Sequence, residues 1–434
     1  MTTTYDPKHP KYLDEADVRA ELTRVYDLCH GCRLCFKLCT AFPSLFEMID
    51  QFDDQDSGRL TPAQQDQVVD ECFQCKLCYV NCPYTPALHE WALDFPRLML
   101  RADAMRYERG LKSVRHKTTT QLIGRTDLMG KAATLAAPLA NKVVNAPEGS
   151  LVRIAVSKVT GVSPVRLLPA YARQRFTTWF KQRQRPAITD KQASVTVFPT
   201  CLVEYQEPEI GHDLVKVYER NRIECAMSSA GCCGAPWLHS GDVEHFTKTA
   251  EKNVATLAAE VRAGTDVVVP QPTCGYVLKK DYLDYVGGRD AELVAAHTYD
   301  AVEYLMKVHK GGETSLDTEF NGDVPDSVTY HAPCHLRAQN IGFKSRDLIK
   351  LTGATVKVVQ QCSGIDGTWG LRAGHEEIAV PIAEKLATEL GRAGNDVVAG
   401  ACHLANTAIA EQTGKPPTHP LQLVARAYGI GPER

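Results

Sequence analysis

A chain of 434 residues with 44% hydrophobic and 23% charged residues has room for two or three folded domains, and this composition excludes a disordered or fibrous protein. The net charge of −3 is unevenly spread: Arg97 to Arg185 carries 18 Lys and Arg against 4 Asp and Glu, so this stretch holds +14 and the remainder −17. The N-terminus MTTTYDPKHPKYLDEADV shows no signal-peptide pattern and no run approaches 18 apolar residues, so a cytoplasmic protein is expected, in which 16 cysteines read as metal ligands or redox groups rather than disulfides.

In chain order, the first predicted element is a helix in LDEADVRAELTRVYDL, where Leu13, Ala16, Ala20, Leu22, Val25 and Leu28 recur at helical spacing and Asp14 stands as its cap. It feeds CHGCRLC and then Cys39. A second cluster, CFQCKLC with Cys82 and Pro83, repeats the same C-x2-C-x2-C-x3-C run. In that run three close cysteines wrap three irons of a [4Fe-4S] cubane and the fourth reaches across to the other cluster. The expected ligand sets are therefore Cys29, Cys32, Cys35 with Cys82, and Cys72, Cys75, Cys78 with Cys39. Structural zinc is the rival reading, but it has no use for a third cysteine at that spacing.

Residues 1–96 thus read as a helical two-cluster ferredoxin domain, and 97–190 as a basic, mostly helical linking segment. Within it Leu122, Leu128, Ala132, Leu135, Leu139 and Val143 are expected to line one face, kinked at Pro138. Its charge reads either as solvated helix faces or as a docking surface for an anionic membrane or an acidic partner.

From about residue 190 strands and helices alternate, and the pattern repeats, giving units 191–310 and 311–434. VTVFPTC ending at Cys201 matches VTYHAPC ending at Cys334; GCCG (231–234) matches QCSG (361–364); DVVVPQPTC ending at Cys274 matches DVVAGAC ending at Cys402. Such alternation predicts parallel sheets covered by helices, with ligands at the carboxyl ends of strands, where these cysteines fall. The fold class is α followed by α/β, the second part pseudo-symmetric. The first copy offers Cys201, Cys232, Cys233 and Cys274. The second offers Cys334, Cys362 and Cys402, with His331, His335 or His403 as a possible fourth ligand or as hydrogen-bonding neighbours. Cys225, in RIECAM, is expected to be a small core residue. Asp366, Gly364 and Gly367 read as loop geometry. No nucleotide or flavin fingerprint is present, and no nucleic-acid partner is indicated.

Together, CHGCRLCFKLC, CFQCKLCYVNCP, DFPRLMLRA, AGCCGAP, HAPCH and CSGIDGTWG resemble the CCG-domain iron-sulfur proteins, which include heterodisulfide reductase subunits, the C subunit of anaerobic glycerol-3-phosphate dehydrogenase and lactate-utilisation iron-sulfur proteins. The resemblance implies an electron-transfer subunit whose partner is a dehydrogenase, a rubrerythrin-like peroxidase, a membrane quinone or a disulfide; for this cytoplasmic chain, a peripheral place on the inner face of the membrane through residues 97–185 is a further expectation. This chain departs from the family's CxxC endings: Val277 and Ala405 stand where the second cysteine of each repeat belongs. A noncubane cluster of the heterodisulfide reductase type therefore lacks its five ligands. An iron-sulfur cluster or zinc remains possible at the first copy. Ser363, standing where the first copy has Cys233, leaves the second copy one thiolate short, so an exchangeable position for an acceptor is expected there. The alternatives to electron relay are a thiol or disulfide reductase acting at that open site, and repeats that only bind structural zinc.

Overall fold

The computed structural model describes residues 5–311, 315–365 and 367–431. Its N-terminal unit packs α1 (Glu15–Cys32), α2 (Ala41–Asp50), α3 (Pro62–Glu71), the short α4 (Leu77–Asn81) and α5 (Phe95–Glu108). Asp14 caps α1 by accepting from the Asp17 amide, as its position before the apolar run predicts. Val18, Leu22 and Val25 of α1 meet Phe42 and Phe46 of α2, Val68 of α3 and Leu98, Met99 and Met105 of α5. The core of this unit therefore extends into α5, past the expected boundary at residue 96. Arg101 and Asp17, both buried, join α5 to α1 with a 2.6 Å ion pair, and the guanidinium also donates to the Tyr12 carbonyl.

The linking segment forms α6 (Val114–Gly124), α7 (Thr126–Leu135), α8 (Ala137–Val144) and α9 (Leu151–Thr160). Pro138 does more than kink a helix. One helix stops at Leu135 and another starts at Ala137, with the proline in its first turn where its missing amide costs nothing. The apolar face expected from the sequence is consequently divided: Leu122 turns inward, whereas Leu128, Leu135 and Leu139 are 61%, 89% and 67% exposed. The layer is held down by glycine contacts. A Cβ at Gly124 would fall 2.3 Å from the Trp237 ring, and one at Gly130 would fall 2.4 Å from the Tyr205 ring.

The C-terminal half holds two parallel sheets. The first contains β1 (Ala193–Val197), β2 (Ile223–Met227), β3 (Asp266–Val269) and β4 (Thr298–Asp300) in the order β2-β1-β3-β4; the second contains β5 (Ser327–His331), β6 (Thr355–Val359) and β7 (Val397–Gly400) in the order β6-β5-β7. The strand orders superimpose. Where the first sheet has β4, the second has a parallel bridge from Ala399 to Thr418; Asp300, which ends β4, and His419, which follows Thr418, each close a capping box on the next helix. Cys225 is buried in β2, as expected of a core residue.

The two repeats share a core related by a pseudo-twofold exchange. Helix 208–220 of the first packs on helix 420–427 of the second, and helix 344–351 of the second packs on helix 301–310 of the first. Leu214, Val217, Leu305, Leu348, Leu421 and Val424 meet there. Both cysteine sets are thereby placed at the carboxyl ends of the strands.

Candidate metal centres

Cys29 and Cys32 end α1, where Arg33 adopts φ 54° and returns its amide to the Cys29 carbonyl, turning the chain so that Cys35 follows. The Cys29 thiol is pushed well up by burial and then by Cys35, Cys82 and Cys32; Cys35 rises to about 12 by burial, Cys82 and Cys32. The second group has the same character. Burial, then Cys75, Cys72 and Cys39, raise Cys78, while burial and Cys72 raise Cys39. Each group thus gathers three thiols from one motif and one from the other. Gln74 Nε2 donates to Cys72 Sγ at 3.6 Å and the Tyr84 amide to Cys82 Sγ at 3.4 Å, contacts that suit sulfur carrying negative charge. Four thiols that repel one another's ionisation form a donor set that a cationic iron-sulfur group relieves, so the residues fit such a group.

In the second repeat Cys334, Cys362 and Cys402 follow β5, β6 and β7 and border, with Ser363, a cavity of about 20 Å³. That is room for roughly one water. The Gly364 amide donates to Cys362 Sγ at 3.3 Å. The three candidate histidines differ in employment. His335 uses both nitrogens, donating from Nε2 to the Gln74 carbonyl (2.9 Å) and pairing Nδ1 with the Thr273 hydroxyl (2.9 Å), so it ties the CFQC loop to this site rather than presenting a lone pair. His331 Nε2 donates to the Gln361 carbonyl at 3.0 Å and leaves a buried Nδ1 without a hydrogen-bond partner; His403 Nδ1 lies 2.9 Å from Glu207 Oε2. Asp366 lies outside the described residues. Cys334 and Cys362 also pack against Phe73, Cys75 and Leu77 alongside Cys39, which sets this site against the second ferredoxin group.

The first repeat places Cys201, Cys232, Cys233 and Cys274 together. Thr200, at φ 46°, turns β1 into the helix that Cys201 begins, and its hydroxyl accepts from the Val203 amide. Cys233 and Cys274 sulfurs stand 3.3 Å apart. Cys232 is held well below the usual thiol range by hydrogen bonds from Cys201 first, then Cys233, with the Thr126 hydroxyl and the Gly234 amide adding to them. Asp127 Oδ2 accepts the Cys232 amide at 2.8 Å, and Oδ1 accepts the Tyr205 hydroxyl at 3.2 Å. Sequence reasoning passed over Thr126 and Asp127. The one available signal was an acid in the first turn of a helix in a segment with 4 acidic residues.

Between these sites lies a much larger space, a cavity of about 340 Å³ under α6–α9, bordered by Cys201, Cys232, Cys233, Cys274 and, from the second repeat, Cys402. Aliphatic side chains of the overlying helices form its roof. A separate cavity of about 210 Å³, lined by Asp70, Cys72, Asp103, Lys112, Arg372 and His375, is strongly polar. His239 borders both. Burial, then Lys76, His335 and Arg372, hold this imidazole neutral, and its Nε2 has no hydrogen-bond partner. Among the described residues no helix is long and apolar enough to cross a membrane, and no three His, Cys, Asp or Glu side chains close on one point as ligands of a single metal ion do.

The CCG cysteine-rich domain family matches residues 195–279 and 328–408, the two repeats. The C subunit of anaerobic glycerol-3-phosphate dehydrogenase from Escherichia coli K12 is 27% identical over 317 residues, covering 70% of this chain and 76% of that protein. Lactate utilization protein A of Bacillus cereus B4264 is 30% identical over 208 residues, covering 45% and 79%. The B subunit of the fumarate reductase (CoM/CoB) of Methanothermobacter marburgensis is 28% identical over 212 residues, covering 47% and 39%. Two matched cysteine-rich repeats, preceded by two gathered groups of ferredoxin-type cysteines, place this chain among the CCG-domain iron-sulfur proteins.

Proposed function

We propose that the protein is the electron-transfer subunit of an oxidoreductase, with a [4Fe-4S] cluster held by Cys29, Cys32, Cys35 and Cys82 and another by Cys72, Cys75, Cys78 and Cys39. A further iron-sulfur or zinc centre belongs at Cys201, Cys232, Cys233 and Cys274, and a weaker one at Cys334, Cys362 and Cys402. When bound, iron-sulfur groups supply one-electron transfer. The observation that carries this reading is the shared packing of Cys39 and Cys75 with Cys334 and Cys362, which joins the ferredoxin unit directly to the repeats. His335 supports the same junction through its bond to the Gln74 carbonyl.

The relatives named for a dehydrogenase and a reductase are subunits, and a redox partner protein is proposed here on that basis. Lys131, Lys142 and Lys158 are exposed beside Leu135, Leu139 and Val159 on α7–α9, so this layer is proposed to rest on an anionic membrane surface. Anaerobic purification with iron, zinc and acid-labile sulfide counts, followed by low-temperature electron paramagnetic resonance of the reduced protein, tests the reading. About eight irons from the first two groups are expected. Zinc without sulfide would overturn it.

A further inference from the structure

We infer that the polar cavity enclosed by α3, α5, α6 and residues 369–375 is a binding site for a small carboxylate anion, held by the guanidinium of Arg372; the inference stands independently of the electron-transfer reading. The other buried arginines of this chain are compensated. Arg101, Arg106 and Arg166 each face a carboxylate, that of Asp17, Asp70 and Glu411, at 2.6, 2.8 and 2.9 Å. Arg153 donates instead to three backbone carbonyls, those of Val144, Ser163 and Arg166. Arg372 has neither. Its Nη2 donates to the Ser240 hydroxyl and its Nη1 to His116 Nδ1 at 3.1 Å. His116 Nε2 donates in turn to the Ser240 carbonyl at 3.1 Å, so this imidazole accepts with one nitrogen, donates with the other and carries no charge. Among the described residues no carboxylate lies within ion-pair distance of Arg372. A guanidinium keeps its charge, and a buried charge without a counter-ion is costly.

Arg372 lines the cavity together with Lys112, His116, His239 and His375, and the volume of about 210 Å³ is room for a small molecule rather than for a single water. The guanidinium is set in place before a ligand arrives. Arg372 forms an antiparallel bridge with Val162, and on either side of it the Ser163 amide donates to the Leu371 carbonyl (2.8 Å) and the Ala373 amide to the Gly161 carbonyl (2.9 Å). Two of the five N–H donors of the fork are used in the protein, and a planar carboxylate accepts from two more at once. His239 Nε2 and His375 Nδ1, buried without a hydrogen-bond partner in the protein, belong to residues of the same wall. Asp70 and Asp103 line it too. Lys112 pairs with both, yet their charge opposes a dianion more than a monoanion, which favours a carboxylate over phosphate. Cys72 borders the cavity, but Cys39, Cys75 and Cys78 line a separate small space with it, so the polar cavity is not the room of that thiol group.

The test titrates the anaerobically purified full chain with acetate, with acetamide as the uncharged molecule of the same shape, and with inorganic phosphate, by isothermal calorimetry at constant ionic strength in a buffer free of other carboxylates. Acetate is expected to bind about tenfold or more tightly than acetamide, and more tightly than phosphate. Arg372→Lys keeps a positive charge but loses the planar fork, and should weaken acetate by about tenfold. Asp70→Asn acts in the opposite direction. It removes a wall charge from a side chain that is 49% exposed, and should tighten acetate by about threefold, a gain that a purely structural role of these residues does not produce. If the Arg372 variant does not fold, the Asp70 variant decides. Equal affinity for acetate and acetamide, phosphate bound more tightly than acetate, an acetate affinity unchanged by Arg372→Lys, or one unchanged or weakened by Asp70→Asn would each overturn the inference.

Discussion

Cys362 of the second repeat lies close enough to Cys39 of the ferredoxin unit for its charge to raise the Cys39 thiol, although 323 positions separate them, and both side chains pack on Phe73. This proximity makes Cys39 a member of two neighbourhoods at once. Cys39→Ala is expected to disrupt the group of Cys72, Cys75 and Cys78 and to spare that of Cys29, Cys32 and Cys35. Iron analysis should show about four irons lost, and the resonance of the remaining cluster should persist. Loss of both signals, or of the nearer cluster alone, would contradict the crossed arrangement.

Ser363 is buried at the edge of the small cavity of the second repeat. A hydroxyl is a poor ligand at neutral pH, whereas a thiol near pKa 8.5 is readily deprotonated by a metal. Ser363→Cys should therefore bind metal more tightly at Cys334, Cys362 and Cys402 and change the resonance of the site. Ser363→Ala should leave occupancy intact. Metal loss in the alanine variant would identify serine as a ligand.

The glycines beneath α6 and α7 should be intolerant. Gly130→Ala puts a methyl group into the Tyr205 ring and is expected to cost about 1–3 kcal/mol, read as a lower melting temperature and faster proteolysis between residues 111 and 172. Gly391→Ala is the control. It has open space around it in a helix and should be neutral or stabilising by up to about 1 kcal/mol.

Asp300 gives the protein a pH dependence of known sign. Burial, with Glu303 adding to it, raises its carboxyl to about 6 from a usual 3.8, so the folded state holds this proton more firmly than the unfolded chain. The stability this contributes is complete below about pH 4 and is lost as pH rises through about 6. Asp300→Asn keeps an oxygen to cap the helix and does not ionise. Its stability relative to wild type should climb between pH 4 and 7 by up to about 3 kcal/mol, the equivalent of the shift at 1.36 kcal/mol per unit. A difference that is flat across this range, measured by denaturant unfolding, would exclude an ionised buried carboxylate.

Sedimentation with vesicles checks the exposed layer of α7–α9. Binding to anionic vesicles is expected at low salt and should fall as the screening length shortens from about 8 Å at physiological ionic strength towards about 3 Å at 1 M. Neutral vesicles should bind poorly. Replacing Leu135 and Leu139 together by Ser should lower the partition by about tenfold or more, since each leucine side chain is worth about 1.5–3 kcal/mol when buried. Binding that ignores both salt and these leucines would leave the layer as a solvated surface.

Much of the architecture was legible in the sequence because it is written in short-range signals. Asp14 before an apolar run marks the start of α1, and β-branched runs ending in Cys201 and Cys334 announce two copies of one parallel motif. What escaped is long-range. Asp127 reaches Cys232 across 105 positions, and His239 borders two cavities built from three parts of the chain; no local pattern carries such information. Leu128, Leu135 and Leu139 show a different limit: helical periodicity reports that a face is apolar, not whether that face turns inward or outward.

The pseudo-twofold core has one more effect. Duplication makes two equivalent half-sites, yet what is attached to them is unequal: the ferredoxin unit abuts Cys334 and Cys362, while the α6–α9 layer covers Cys201 and Cys232. A symmetric scaffold has in this way acquired a front and a back. Equivalent substitutions in the two repeats should not be interchangeable in their consequences, since one half-site borders the N-terminal unit and the other borders the α6–α9 layer.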